Sequence, residues 1–167
     1  MPLSTPTALC VDQRLLITLR ALLEVADPEE GCALLLGSRK EHTWTLERLW
    51  PCCNVWPVAG ERHHRFAVDP REQLVAQRWG RGQWLELLGV AHRHPRSAAI
   101  PSRADCRLCV PPALMGIGSA KAIPPALEKA SLGWRGDGQL MSISYFDLVN
   151  FSILMMNECA QAAAVQP

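Results

Sequence analysis

Two histidines, His92 and His94, flank a single residue, and Asp105 follows them after a short loop. On a β-strand, residues two apart point to the same face, so both imidazoles can reach one point. A third ligand from Asp105, brought back by the loop over residues 96–101, would leave the fourth tetrahedral position open for water, as a catalytic zinc site requires. Water in that position has a pKa of about 7 and supplies a nucleophile once a base takes its proton. The spacing therefore indicates metal-assisted hydrolysis.

The histidine pair alone is a weak indication, because two histidines near a strand end are more often ordinary surface or partly buried groups. His63 and His64 lie in a polar loop between arginines and lack a partner at metal-ligand spacing, which favours solvated side chains. Cys106 and Cys109 form one CxxC, whereas a zinc ribbon needs a second pair at similar spacing. Small apolar helix residues are therefore the favoured interpretation of these two cysteines.

The composition indicates one globular domain and excludes several classes of function. A chain of 167 residues buries roughly 70% of its unfolded surface. Lys and Arg total 17 against 16 Asp and Glu, a formal net charge of +1, which offers no footprint for nucleic acid or an anionic membrane. Without an export signal or an apolar span of about 20 residues, we expect a cytoplasmic protein whose seven cysteines are reduced. The oligomeric state stays open, a homodimer included.

The first half of the chain predicts a helix followed by two strands. Leucines recur at helical spacing over residues 11–26 and Pro28 ends that pattern. The apolar run 32–36, closed by glycine, suits a strand buried on both faces, and residues 42–50 are predicted to form its antiparallel neighbour. Residues 51–65 have the composition of a loop, and their number suggests a functional or mobile segment.

The second half alternates helices and strands. A cap, a proline and a reciprocal glutamate predict a helix from Asp69 to about Trp79, ended by Gly80 and Gly82. A strand over 87–92 and a short helix opening at Ser102 follow. The remaining predicted elements are strands near 114–119, 130–135 and 139–145, a turn at 136–138 and a C-terminal helix over about 147–163. We predict an α/β or α+β fold, with a mixed sheet flanked by helices, as one domain over residues 1–167 whose core spans about 11–146.

The residues with chemistry also carry a family resemblance. The order His92-x-His94-Pro95, followed after a loop by Ser102-x-x-Asp105, resembles the signature of the JAMM (MPN-plus) zinc metallopeptidases. The spacing between the two parts matches as well. The resemblance implies the mixed-sheet sandwich of MPN domains, which is similar to that of cytidine deaminases.

A second segment of the family signature lies far upstream. Residues 30–37, EGCALLLG, fit the pattern E-x-x-[GA]-L-L-x-G at every fixed position. Asn54, Phe66 and Asp69-Pro70 also resemble the family's middle region, so the resemblance covers roughly residues 15–145. Two matches in the right order make a chance likeness improbable.

The resemblance implies one zinc per chain, held by His92, His94 and Asp105. It further implies that Glu30 is the general base, which passes the water's proton to the leaving amine, and that the Ser102 hydroxyl steadies the oxyanion. Ser102 equally suits a helix cap, and the two roles are compatible. Glu29 is one residue out of frame and is expected to face away.

The resemblance implies a compact, prokaryotic-type peptidase or isopeptidase that cleaves an amide bond at the C-terminal Gly-Gly of a ubiquitin-like or sulfur-carrier protein. The chain lacks the insertions with which eukaryotic deubiquitinases grip ubiquitin. A non-catalytic MPN-type interaction module retaining structural zinc is the alternative, and intact Glu30 and Ser102 favour the enzyme. A zinc deaminase is disfavoured because the required P-C-x-x-C is absent. Arg93 stands where the family commonly has serine and is expected to face away from the metal.

Overall fold

The computed structural model of the chain describes residues 6, 8–108, 110, 112–120, 141–144 and 151–156. These residues form one seven-stranded sheet with the strand order β1-β3-β2-β4-β5-β7-β6. The strands are β1 (Ala8–Val11), β2 (Cys32–Lys40), β3 (Thr43–Cys52), β4 (Glu86–His94), β5 (Ala113–Ser119), β6 (Met141–Ser144) and β7 (Phe151–Met156). The helices are α1 (Gln13–Glu24), α2 (Pro70–Gly82) and α3 (Arg103–Leu108), with a 3-10 turn over Ala59–Glu61.

The sheet is mixed. β2 is antiparallel to β3 and to β4, β5 is antiparallel to β7, and β6 is antiparallel to β7, whereas the pairs β1–β3 and β4–β5 are parallel. Parallel neighbours require a crossover connection. The crossover that connects β4 to β5 contains α3, and this connection places α3 at the end of β4. The predicted α+β class with a mixed sheet is confirmed.

Helices cover both faces of the sheet. On one face, the buried leucines of α1 pack with alternate residues of β2, Ala33 and Leu35, in the main apolar cluster. Each fully buried leucine contributes about 1.5–3 kcal/mol. On the other face, the backbone of α2 approaches Leu36, since a Cβ on Gly80 would lie 3.4 Å from the Leu36 side chain. The two layers explain why β2 has the continuous apolar sequence of a strand buried on both sides.

The predicted start of α2 at Asp69 is confirmed, and α1 lies within the predicted range 11–26. Asp12 caps α1 by accepting a hydrogen bond from the Arg14 backbone, and Asp69 caps α2 with Pro70 in the first helical position. The predicted end of α2 near Trp79 is wrong, because the helix continues through Gly82. Gly80 does not break the helix. Its lack of a side chain lets the helix backbone approach the Leu85 carbonyl oxygen, which would lie 3.1 Å from a Cβ at this position.

The predicted C-terminal helix over 147–163 is wrong where it can be compared. Residues Phe151–Met156 form β7, which pairs with β5 and β6. Phe151 and Ile153 are two residues apart and both enter the main apolar cluster, which is strand periodicity. Residues 147–150 and 157–163 lie outside the described residues, as do the predicted strand 130–135 and the turn 136–138.

The strand β1 was not predicted from the sequence. It is four residues long and adds to the edge of the sheet in parallel with β3. A strand this short has too few residues to display a periodicity. Among the described residues, no helix is both long enough and apolar enough to cross a membrane.

Candidate metal centre

Three buried side chains converge where β4 ends. Nε2 of His92 lies 2.9 Å from Nε2 of His94, and these two nitrogens lie 3.1 Å and 3.3 Å from the two carboxylate oxygens of Asp105. The exposed fraction is 4% or less for each residue. Two nitrogen lone pairs and a carboxylate pointing at one another, away from water, are the donor set of a metal ion. The predicted trio could therefore hold a metal ion.

The two imidazoles are oriented by different contacts. Nδ1 of His94 donates to the backbone carbonyl of Ala98, 2.8 Å away, which leaves Nε2 as the lone-pair donor. The ring of Phe66 stacks on that of His92, with centroids 4.4 Å apart. Nδ1 of His92 is buried and has no hydrogen-bond partner among the described residues. Packing against Phe66 thus fixes the His92 ring where hydrogen bonding does not.

Asp105 is placed by a reciprocal cap at the start of α3. Its backbone N–H donates to Oγ of Ser102 at 3.1 Å, and its Oδ2 accepts from the Ser102 backbone N–H at 2.6 Å. This is the capping-box arrangement, which confirms the predicted cap at Ser102. The exposed Ser102 hydroxyl accepts in this contact, so its own hydrogen stays available as a donor.

The electrostatics of the trio favour the neutral form of His92 and the ionised form of Asp105. Burial lowers the pKa of His92, although Asp105 opposes that shift. Burial also acts to lower the pKa of His94, but hydrogen bonds to Asp105 and Ala98 outweigh it and raise this pKa. Burial acts to raise the pKa of Asp105, and the hydrogen bonds from His92 and His94 outweigh it, so this carboxyl stays ionised. An ionised carboxylate is the form that binds a metal.

Glu30 lies buried immediately before β2, with 4% of its surface exposed. Burial is the main reason that its pKa is raised to about 7, and the charges of His94, Asp105 and Arg65 also act on it. Its neighbour Glu29 is different, because the Glu29 side chain is 41% exposed and lies 4.0 Å from Arg62. A carboxyl that titrates near neutrality beside a candidate metal site is suited to proton transfer.

The raised pKa of Glu30 predicts a pH-dependent stability. Between about pH 4.5 and about pH 7 the metal-free folded state keeps a proton that the unfolded state has released, so folding becomes less favourable as the pH rises. Glu30→Gln removes this penalty. Above pH 7 the metal-free variant should be more stable than wild type by on the order of 3 kcal/mol, with little difference below pH 4.5. Urea unfolding of both metal-free proteins across this range measures it, and a pH-independent difference would contradict it.

Asn54 joins the loop after β3 to the segment that carries Glu30. Its Nδ2 donates to the carbonyls of Glu30 (3.1 Å), Arg62 (3.4 Å) and Arg65 (2.8 Å). Its Oδ1 accepts from the backbone N–H groups of Trp56 and Ala67. The sequence shows Asn54 only as part of a family resemblance, because the carbonyls that it holds are backbone groups with no residue-type signal.

A cleft of about 190 Å³ opens beside the trio. It is lined by Trp56, His64, Arg65, Phe66, Ala104, Asp105, Arg107 and Leu108. The indole Nε1 of Trp56 donates to Glu61 at 2.9 Å, which fixes this ring within the loop. Because Asp105 forms part of the wall, a molecule in the cleft would lie against the candidate metal site.

The other candidate ligands of the sequence are not brought together with the trio. His63 and His64 contact each other at 3.0 Å in an exposed position, and neither belongs to a metal-sized group within the part of the chain that the structure describes. Cys106 is buried in α3, whereas Cys109 lies outside the described residues. The five described cysteines form no disulfide among themselves, and the reduced state of all seven stays a prediction.

The cysteines should differ strongly in reactivity. Burial raises the pKa of Cys32 and of Cys52 to about 12, which leaves roughly 1,000-fold less thiolate than at an ordinary pKa near 9. Iodoacetamide at neutral pH should therefore modify the exposed Cys10 and Cys53 first. Peptide mass mapping over time measures this order, and equal rates for Cys32 and Cys10 would contradict it.

Comparisons with known proteins agree with this architecture. Residues 12–132 match the family described as prokaryotic homologs of the JAB domain, Prok-JAB. A probable TtuB-protein conjugate cleaving protease from Thermus thermophilus is 32% identical over 127 residues, which cover 73% of this chain and 80% of that protein.

Two solved structures are also similar. A solution structure of a Desulfitobacterium hafniense protein has a TM-score of 0.59 at 32% identity, covering 66% of this chain and 74% of that one. A solution structure of a Salinibacter ruber protein has a TM-score of 0.51 at 28% identity, covering 67% of this chain and 73% of that one. With most of its length matched, the chain belongs to the Prok-JAB family of JAB/MPN domains.

Proposed function

We propose that this protein is a zinc-dependent peptidase or isopeptidase in which His92, His94 and Asp105 hold the metal and Glu30 is the general base. The observation that carries the proposal is one buried cluster that combines two imidazoles, an ionised carboxylate and a carboxyl with a raised pKa. Structural metal sites need only ligands. A titratable Glu30 beside the ligands is what favours catalysis.

The spacing of the donor atoms supports zinc. Zinc bonds of 2.0–2.2 Å in a tetrahedron place neighbouring donor atoms about 3.3–3.6 Å apart. The observed separations of 2.9, 3.1 and 3.3 Å are close to that edge and need only a small outward shift on binding. Two nitrogens and one oxygen from protein also match catalytic zinc sites, which keep one position open. Bound there, zinc would polarise a carbonyl group and make water more acidic.

The residues of the chain supply the remaining steps. Glu30, with its pKa near 7, takes a proton from the attacking water and delivers it to the leaving amine, since a group that titrates near the working pH serves as both base and acid. The Ser102 hydroxyl donates to the oxygen that becomes negative as the amide carbon turns tetrahedral. The Ala98 carbonyl holds the His94 ring in place throughout.

A named relative supports a proposal for the substrate class. The Thermus thermophilus protein is named for cleavage of TtuB-protein conjugates. We propose that this chain likewise hydrolyses an amide bond at the C-terminal Gly-Gly of a ubiquitin-like or sulfur-carrier protein. An extended Gly-Gly tail suits a narrow path to the amide bond because glycine carries no side chain, and its backbone can pair with that of the enzyme through hydrogen bonds. The cleft has Asp105 in its wall, so a tail that lies there would bring its amide bond towards the candidate metal site.

The function is tested by incubating the purified protein with a ubiquitin-like protein fused through its C-terminal Gly-Gly to a reporter. We expect cleavage after the second glycine, loss of cleavage with a zinc chelator and recovery with added zinc. A protein that binds zinc and the ubiquitin-like partner but leaves the amide bond intact would contradict the proposal. That outcome would favour the non-catalytic interaction module.

A further inference from the structure

We propose that Arg93 and Asp27 form a clamp that positions Glu30 against the metal-ligand strand. The inference rests on the proposed function, in which Glu30 is the base. Arg93 lies between the two histidine ligands in β4, so its side chain projects from the opposite face of the sheet. It belongs neither to the donor trio nor to the residues that line the cleft, so an effect on catalysis would act through the segment that carries Glu30.

Arg93 contacts this segment at two points on either side of Glu30. Its backbone N–H donates to the carbonyl of Gly31 at 3.0 Å. Its guanidinium Nη1 donates to Oδ1 of Asp27 at 2.5 Å. One residue of the ligand strand thus holds both ends of the span 27–31. Displacement of the Glu30 backbone towards or away from the ligands would therefore strain or break one of these contacts.

The same span is confined from a second direction. A Cβ on Gly31 would lie 2.2 Å from the carbonyl oxygen of Leu23, so this backbone is packed directly on the last turn of α1. Glu30 itself donates its N–H to Arg62 and offers its carbonyl to Asn54. These contacts fix the backbone on the loop side, and the Arg93–Asp27 pair fixes it on the side of the ligand strand.

The pair is better suited to positioning than to global stability. The Arg93 side chain is 11% exposed, whereas that of Asp27 is 58% exposed, so water screens the attraction. Ion pairs with an exposed partner contribute little to folding. Their geometry still matters here, because displacing a catalytic group by about 1 Å can cost about 100-fold in rate.

The test compares Arg93→Ser, Arg93→Lys and Asp27→Asn with wild type, and Arg39→Ser is the matched control. Arg39 is also a partly buried arginine of the sheet, 16% exposed, and it pairs with Glu86 at the opposite end of β4. Zinc content, kcat, KM and thermal unfolding are measured for each zinc-loaded protein. Backbone hydrogen exchange of residues 27–31 is measured on the metal-free proteins.

We expect Arg93→Ser to lower kcat by about 10- to 100-fold with KM and zinc content unchanged. Exchange at residues 27–31 should become about 10-fold faster, and the melting temperature should fall by only about 2–4 °C. Arg93→Lys should recover part of both effects because its ammonium can still pair with Asp27. Asp27→Asn should resemble Arg93→Ser, and adding it to Arg93→Ser should change little more. Arg39→Ser should leave kcat and the exchange of this span unchanged.

Unchanged exchange in Arg93→Ser would overturn the clamp. Faster exchange with an unaltered kcat would also overturn it, because the contact would then be structural alone. Equal losses of kcat in Arg39→Ser would show a general effect of instability and overturn the proposal. If wild type cleaves no amide bond, the proposed function fails, and the exchange comparison still decides whether Arg93 and Asp27 hold the segment.

Discussion

Replacing Glu30 by glutamine is expected to lower amide hydrolysis by about 100- to 10,000-fold while zinc stays bound. Glutamine keeps the size and hydrogen-bonding shape of the side chain but cannot accept a proton from the attacking water. Glu30 lies outside the ligand trio, so the metal site remains complete. The measurement is kcat on a ubiquitin-like fusion, together with zinc analysis of the same preparation.

Glu29→Gln is the matched control for this prediction. The two glutamates are adjacent, but the Glu29 side chain is 41% exposed and faces Arg62, whereas Glu30 is buried. Glu29→Gln should therefore retain nearly full activity. Near wild-type cleavage by Glu30→Gln would exclude it as the base, and loss of zinc in that variant would identify Glu30 as a ligand instead.

The local features of the site were predictable from the sequence because they depend on residues close together in the chain. Strand periodicity brings His92 and His94 to one face, and their rings do meet, with Nε2 atoms 2.9 Å apart. The cap that fixes Asp105 is formed with Ser102, three residues away. The start of α2 at Asp69 follows from its capping residue in the same way.

The features that the sequence did not predict depend on distant parts of the chain. The sequence predicts a helix over 147–163, but residues Phe151–Met156 pair with β5 as a strand. No pattern within residues 147–163 indicates that an unpaired strand edge is available to them elsewhere in the chain. The stacking of the Phe66 ring on that of His92 depends on where the loop after β3 returns to the sheet. The contact of Arg93 with Asp27 spans 66 positions of the sequence.

The placement of Glu30 depends both on a local sequence pattern and on contacts with distant parts of the chain. The segment 30–37 is recognisable because Gly37 leaves no room for a side chain, since a Cβ there would lie within 1.9 Å of the Thr45 carbonyl oxygen. That steric demand fixes the glycine in the sequence pattern. The raised pKa of Glu30 has no comparable signal in the sequence, because it arises mainly from burial of the carboxyl in the folded chain.

His92→Ala is expected to lose zinc and activity together. The imidazole of His92 is fully buried and supplies one of only three protein donors in the described cluster, and two remaining ligands rarely hold zinc against water. The loss in affinity should exceed the ~10- to 100-fold that follows from changing groups around the ligands.

The measurement for His92→Ala is zinc per chain after dialysis, compared with His64→Ala and Cys106→Ser. His64 lines the same cleft but is exposed and lies outside the trio, and Cys106 follows Asp105 directly in α3. Both controls should keep one zinc, because neither offers a donor atom to the trio. Asp105→Asn should lose zinc as His92→Ala does, since it removes the charge that the two histidines share. Stoichiometric zinc in His92→Ala, or zinc lost from Cys106→Ser but kept by Asp105→Asn, would show that the metal is held by a different set of residues.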